Sequence, residues 1–141
     1  MNEKIEVDIK VPNQTRYLGL IGKIGEDIAR TLKKYKGDRE ELAYHLNLVL
    51  TEAMANAIRH ANEGNPEKEV HITITILDRI LNIKVYDQGQ GFDVNALPAT
   101  PDFKNLEEHG RGIYIIRTLM DRVTYQKHAH GHVLEMEKTL I

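Results

Sequence analysis

No cysteine occurs in the 141 residues, so neither a disulfide framework nor a thiolate-bound metal can form. An excess of charge of one sign is missing as well: Lys and Arg number 19 against 21 Asp and Glu, a formal net charge of −2. A general nucleic-acid surface needs basic residues in excess on one face, so the expected partners are proteins or small molecules. No apolar run approaches membrane-spanning length, and Met1-Asn-Glu-Lys-Ile-Glu6 lacks a signal-peptide core. A cytoplasmic protein with no membrane contact is the default expectation. Repeats, low-complexity segments and interdomain linkers are absent too, which predicts a single domain over residues 1–141, long enough to bury one core. What remains is 41% hydrophobic and 28% charged, the balance of a globular chain.

Periodicity divides that chain into elements. Ile5, Val7, Ile9 and Val11 alternate with polar residues as in a half-buried strand, and Asn13 is a candidate N-cap after Pro12. Tyr17, Ile21, Ile24, Ile28, Leu32 and Tyr35 recur at helical spacing and predict a helix over about 14–36, closed by Gly37. Asp38 followed by Glu41 resembles a capping box and opens a second helix over about 39–62, with Leu42, Leu46, Val49, Leu50, Ala53 and Ala57 inward. Val70, Ile72, Ile74 and Ile76 face Leu81, Ile83 and Val85 across an Asp78-Arg79 turn, the pattern of a hairpin with one apolar face. Asp93 to His109 contains two prolines and little periodicity, and a loop of that length is usually functional or mobile. Ile113, Ile116, Leu119 and Met120 give a short helix; Arg122 to Lys127 and Val133 to Lys138 close the chain as a strand pair turning at Ala129-His130-Gly131. Strands with one apolar face call for all three helices on that face, a two-layer α/β sandwich of the α+β class.

Three segments carry chemistry. Glu52 and Asn56 lie four apart, in one row of the second helix that His60 would continue. The pair reads either as a solvated flank with an i,i+4 contact or as a metal site, Asn56 completing an octahedral Mg²⁺ held by triphosphate and Glu52 orienting or deprotonating an attacking hydroxyl. Asp87 follows Leu81, Ile83 and Val85 in register and so points to the buried face, where a carboxylate needs a partner. It bonds either its own turn or an exocyclic amine such as that of adenine, with Gly89 and Gly91 letting backbone approach the ligand. Gly110-Arg111-Gly112 precedes the third helix, whose first-turn amides are donors for phosphate or simply a flexible entry; Arg111 adds charge to phosphates or ties a lid to a partner.

Glu52-Ala-Met-Ala-Asn56, Asp87-Gln-Gly-Gln-Gly91-Phe92 and Gly110-Arg-Gly112 resemble, in this order, the N, G1 and G2 boxes of the histidine-kinase-like (GHKL) ATPase superfamily. The continuations Asn56-Ala-Ile-Arg-His60-Ala61 and Gly110-Arg-Gly-Ile-Tyr-Ile-Ile-Arg-Thr-Leu-Met-Asp121 are similar to the anti-sigma-factor serine kinases. The resemblance implies the Bergerat ATP-binding fold with a mixed, mainly antiparallel sheet, and ATP and Mg²⁺ as cofactors. It implies Glu52 as catalytic base, Asn56 as the Mg²⁺ ligand, Asp87 as the adenine contact, and His60, Gly89, Gly91, Phe92, Gly110, Arg111 and Gly112 around the nucleotide. It further implies a homodimer that phosphorylates a STAS-domain anti-anti-sigma protein and, in many members, binds a sigma factor. Related sites often carry a threonine on a late strand near adenine; Gly131-His132-Val133-Leu134 has none at the aligned position.

Two other readings compete. A sensor histidine kinase shares the ATP boxes but needs a dimerisation helix pair bearing its phosphoacceptor histidine, for which 141 residues filled by the ATP fold are expected to leave no room, so this reading requires a detached catalytic fragment. A nucleotide-gated module that only sequesters a protein would bind ATP and transfer nothing. His128, His130 and His132 suggest a metal because alternate strand residues share a face, but Gly131 points to an exposed polar hairpin, and zinc is not expected.

Overall fold

Alternation of apolar and polar residues builds the sheet. The computed structural model describes residues 4–61, 65–88, 108–128 and 131–141. Strands β1 (Ile5–Pro12), β2 (Glu69–Leu77), β3 (Ile80–Asp87), β4 (Arg122–His128) and β5 (Gly131–Thr139) form one sheet in the order β1-β2-β3-β5-β4. In β2 and β3, Val70, Ile72, Ile74, Leu81, Ile83 and Val85 are buried while their neighbours are half-exposed, so one face only is apolar. All four pairings are antiparallel, which corrects the expected mixed sheet. A tight hairpin joins β2 to β3, β4 pairs with β5, and a pair of helices stands between β1 and β2 in the chain. The β2–β3 turn falls at Asp78-Arg79, both residues with positive φ (53° and 67°), the twist that a two-residue hairpin favours.

Helices α1 (Leu18–Arg30), α2 (Arg39–Asn56) and α3 (Glu108–Leu119) share a single hydrophobic core with the apolar sheet face. The first helix is shorter than its periodicity predicts: Thr15–Tyr17 is a 3₁₀ turn, and the Thr31 hydroxyl and N–H both donate to Ile28 O, closing the C-terminus. Leu32 and Tyr35 keep the helical spacing and still pack on the core, although they lie outside the helix. Asn13 is no N-cap either. Its side chain is buried and donates to Asn65 O at 3.0 Å, pinning the segment that leads into β2.

The central helix is α2, with Leu42, Leu46, Val49, Leu50, Ala53 and Met54 all buried. Asp38 caps it, accepting from the Glu40 and Glu41 amides at 2.9 and 3.3 Å. At its other end the α-helix stops at Asn56 and Ala57–Ala61 continue as a π-helical turn. Such i→i+5 turns concentrate at functional sites. Helix α3 is fixed by Ile113 and Ile116 in the core and by Lys138, whose ammonium donates to Leu119 O at 3.1 Å. Among the described residues no helix is long and apolar enough to cross a membrane.

Candidate nucleotide site

Among the described residues the buried polar side chains are Asn13, Asn56 and Asp87, and two of these belong to the predicted site. Burying an amide or carboxylate is unfavourable unless a partner compensates. Asp87 is 6% exposed at the end of β3, facing the core as its register predicts, and accepts a hydrogen bond on Oδ2 from the Tyr125 hydroxyl at 2.9 Å. Asn56 is 2% exposed, and its Nδ2 is buried with no hydrogen-bond partner among the described residues. A half-turn of its χ2 exchanges amide nitrogen for carbonyl oxygen at that point, so the residue can present a donor or an acceptor there. Between these two residues lies a small recess lined by Ala53, Asn56, Ala57, Val85, Asp87, Tyr125 and Leu134. Ala53, Ala57, Val85 and Leu134 make its apolar lining, and Asn56, Asp87 and Tyr125 its polar one.

The glutamate and glycine boxes meet where α3 crosses α2. Gly112 is buried in α3, and a Cβ built on it would stand 2.7 Å from Glu52 Oε2 and 3.1 Å from Asn56 Nδ2. A side chain at 112 would therefore displace the Glu52 carboxylate, and only glycine lets both α2 side chains reach the surface of α3. Glu52 is itself half-buried. The Glu52 carboxylate and the Asn56 carboxamide thus converge on the Gly112 backbone; with its χ2 half-turn Asn56 would set an oxygen beside that carboxylate, the hard donors that Mg²⁺ takes.

The remaining predicted residues divide. Helix α3 begins at Glu108, so Gly110, Arg111 and Gly112 lie inside its first turns and do not precede it. Gly112 serves as the point of close approach described above, and Arg111 is exposed. His60 falls in the π-helical turn, where the 3.6-residue spacing that put it in the row of Glu52 and Asn56 no longer applies; its side chain lies outside the described residues. Gly89, Gly91, Phe92 and the predicted loop from Asp93 also lie outside them, apart from the last loop positions, Glu108 and His109, which belong to α3.

Three residues near Asp87 escaped the sequence reading. Tyr125 reaches it from β4, two strands away. His132 is not part of an exposed turn: it sits in β5 directly opposite Asp87, with Nδ1 4.0 Å from Oδ1, and its ring lies parallel to that of Tyr125 at 7° and 5.1 Å. His128 points to the other face of the sheet, against Tyr86 at 5.0 Å, so the two histidines share no face. Gly131 is the third, since a Cβ there would fall 1.8 Å from Asp87 O. The inward alternation of Val123 and Tyr125 was a signal for the tyrosine, but only the strand order places it beside Asp87.

A profile of the histidine kinase-like ATPase domain matches residues 15–138. The serine-protein kinase RsbW of Bacillus subtilis (strain 168) is 31% identical over 141 residues, covering 95% of this chain and 85% of its own. That of Bacillus velezensis (strain DSM 23117 / BGSC 10A6 / LMG 26770 / FZB42) is 29% identical over 141 residues, with 95% and 85% covered. Among solved structures, the histidine kinase domain from the Erythrobacter litoralis EL346 blue-light activated histidine kinase superposes with a TM-score of 0.57 at 19% identity. The match covers 92% of this chain and 62% of that one, a likeness of fold.

Proposed function

The chain belongs to the histidine kinase-like ATPase family and, within it, to the family of RsbW serine-protein kinases, and from that premise we propose that it is an ATP- and Mg²⁺-dependent protein-serine/threonine kinase. Its substrate in this reading is a STAS-domain anti-anti-sigma protein, and it acts as a cytoplasmic, homodimeric anti-sigma-type regulator that also engages a sigma factor. The observation that carries the proposal is the convergence of Glu52, the unpartnered buried end of Asn56 and the Cβ-free surface of Gly112.

In this scheme Asp87 accepts the exocyclic amine of adenine in the recess, with Ala53, Ala57 and Val85 against the ring. Asn56 would hold the Mg²⁺ through its carbonyl oxygen, and the ion would supply charge neutralisation for the triphosphate. Glu52 lies one helical turn before Asn56 and accepts the proton of the partner's hydroxyl as its oxygen bonds to the γ-phosphorus. The bond from that phosphorus to the β–γ bridging oxygen breaks, and ADP leaves with the electron pair. The test is to incubate the protein with Mg-ATP and the STAS-domain proteins of its own cell and to measure their intact masses. Phosphate on a serine or threonine of one of them is expected. ATP binding with no phosphate on any of them would instead support the sequestering module.

A further inference from the structure

We propose that Tyr125 sets the base specificity of the site by holding the Asp87 carboxylate in one orientation. The inference rests on the adenine reading of Asp87 and adds a residue to it. Asp χ2 is a broad, soft torsion, so a carboxylate at a strand end does not by itself keep a fixed plane. Here the Tyr125 hydroxyl donates to Oδ2 at 2.9 Å, while Tyr125 lines the same recess as Asp87. The phenol ring is held in turn by the parallel ring of His132, which stands on β5 in register with Asp87. Below them Gly131 lets backbone press on Asp87 O, where any Cβ would collide at 1.8 Å. Backbone, ring stack and hydroxyl together leave the carboxylate little freedom.

Adenine brings an N–H donor to the position where guanine brings a carbonyl oxygen. A carboxylate able to turn aside, or a hydroxyl able to swing towards the base, could accommodate guanine. With its proton committed to Oδ2, Tyr125 offers guanine no donor, and the pinned carboxylate opposes the guanine carbonyl with like partial charge. Adenine meets an acceptor already oriented for its amine. Tyr125 is thus a positioning residue, and its hydroxyl acts on discrimination more than on folding.

Calorimetric titrations of the parent, Tyr125→Phe and Asp87→Asn with Mg-ATP, Mg-GTP and Mg-tripolyphosphate test this. Tyr125→Phe keeps the ring and its stack on His132 and removes only the hydroxyl. We expect the parent to prefer ATP, Asp87→Asn to abolish that preference, and Tyr125→Phe to weaken ATP about tenfold, the scale of one hydrogen bond to a charged group. GTP affinity should hold or rise and tripolyphosphate affinity should stay at the parent's value, while the melting temperature falls only as far as loss of one donor to the buried Asp87 requires. A preserved ATP-to-GTP ratio in Tyr125→Phe, with that of Asp87→Asn lost, would overturn the role of Tyr125 and leave Asp87 standing. Equal weakening of all three ligands would make Tyr125 a merely structural residue and overturn it too. A parent that does not distinguish ATP from GTP would overturn both readings. Should Tyr125→Phe fail to fold, the tyrosine ultraviolet difference spectrum of the parent decides: a change with ATP that tripolyphosphate does not produce supports the proposal, and its absence contradicts it.

Discussion

The two ends of α2 solve opposite problems. Its N-terminus is satisfied: Asp38 caps it, and Arg30 of α1 forms a fork to Glu40 with bonds of 3.1 Å from both Nε and Nη2. Roughly 27 Å away, at 1.5 Å for each of its 18 residues, the helix ends in a π turn with Asn56 Nδ2 unpartnered among the described residues. The broader of two recesses among the described residues lies at the satisfied end, lined by Arg30, Gly37, Asp38, Arg39 and Glu40, and there Arg30, Asp38 and Glu40 are bonded within the chain. Local consistency at one end and a breach of it at the other is the pattern expected when the second end is reserved for a ligand. A cleft's size is therefore a poorer guide here than a buried atom without a bond.

The largest effect expected at the functional end is that of Glu52→Gln. It keeps shape and hydrogen-bonding capacity but removes basicity, so phosphate transfer at saturating Mg-ATP and partner should fall about 10²–10⁴-fold with ATP affinity near that of the parent. Full transfer in this variant would exclude Glu52 as an essential base. Gly112→Ala comes next. Alanine improves helix propensity by about 1 kcal/mol, so thermal stability should hold, while the displaced Glu52 carboxylate should lower transfer by about 10²-fold, the scale of an ångström-sized misplacement. Unchanged transfer would show that the close approach of α3 has no functional meaning.

Asp87→Asn is expected to weaken ATP binding about 10- to 100-fold, as for loss of a hydrogen bond to a charged group, with little change in circular dichroism. An unaffected ATP affinity would remove Asp87 from the adenine role. The smallest effect belongs to the other end of α2. Hydrogen bonding and then charge attraction from Arg30 hold the Glu40 carboxyl below its usual range, and the same bond holds the Arg30 guanidinium above its own. Because the folded value of Glu40 is depressed, its contribution is present above the ordinary carboxylate range and is lost as pH falls through the folded value. Both groups are exposed, so Glu40→Gln should lower the neutral-pH melting temperature only slightly, with the gap closing in acid and ATP binding untouched. A variant that changed ATP affinity would erase the contrast between the two ends.

Much of this was legible in local pattern. Period-two alternation placed the strands and aimed Asp87 inward, and the spacing of Glu52 and Asn56 put both on one side of α2. Other features depend on contacts that local sequence does not encode. Leu32 and Tyr35 continue the helical period of α1 because they pack on the same core, although Thr31 has already closed the helix. The placement of Tyr125 and His132 beside Asp87 requires knowing that β5 lies between β3 and β4. Gly110-Arg111-Gly112 looked like a helix entry because glycine is a poor helix former; its second glycine is inside α3 because close packing against Glu52 outweighs propensity.

The central claim is that the buried Asn56 Nδ2 lacks a hydrogen-bond partner among the described residues for the sake of a ligand, and Asn56→Leu tests it most directly when equilibrium unfolding and Mg-dependent ATP binding are measured on the same sample. Leucine fills a similar volume and removes the one unmet polar atom, Nδ2, a change that is neutral or stabilising in a purely structural setting. The account predicts a ligand-free fold no less stable than the parent's, or more stable by up to about 1 kcal/mol, together with loss of Mg-dependent ATP binding. A variant that binds Mg-ATP like the parent, or whose fold collapses for want of the asparagine, would contradict it.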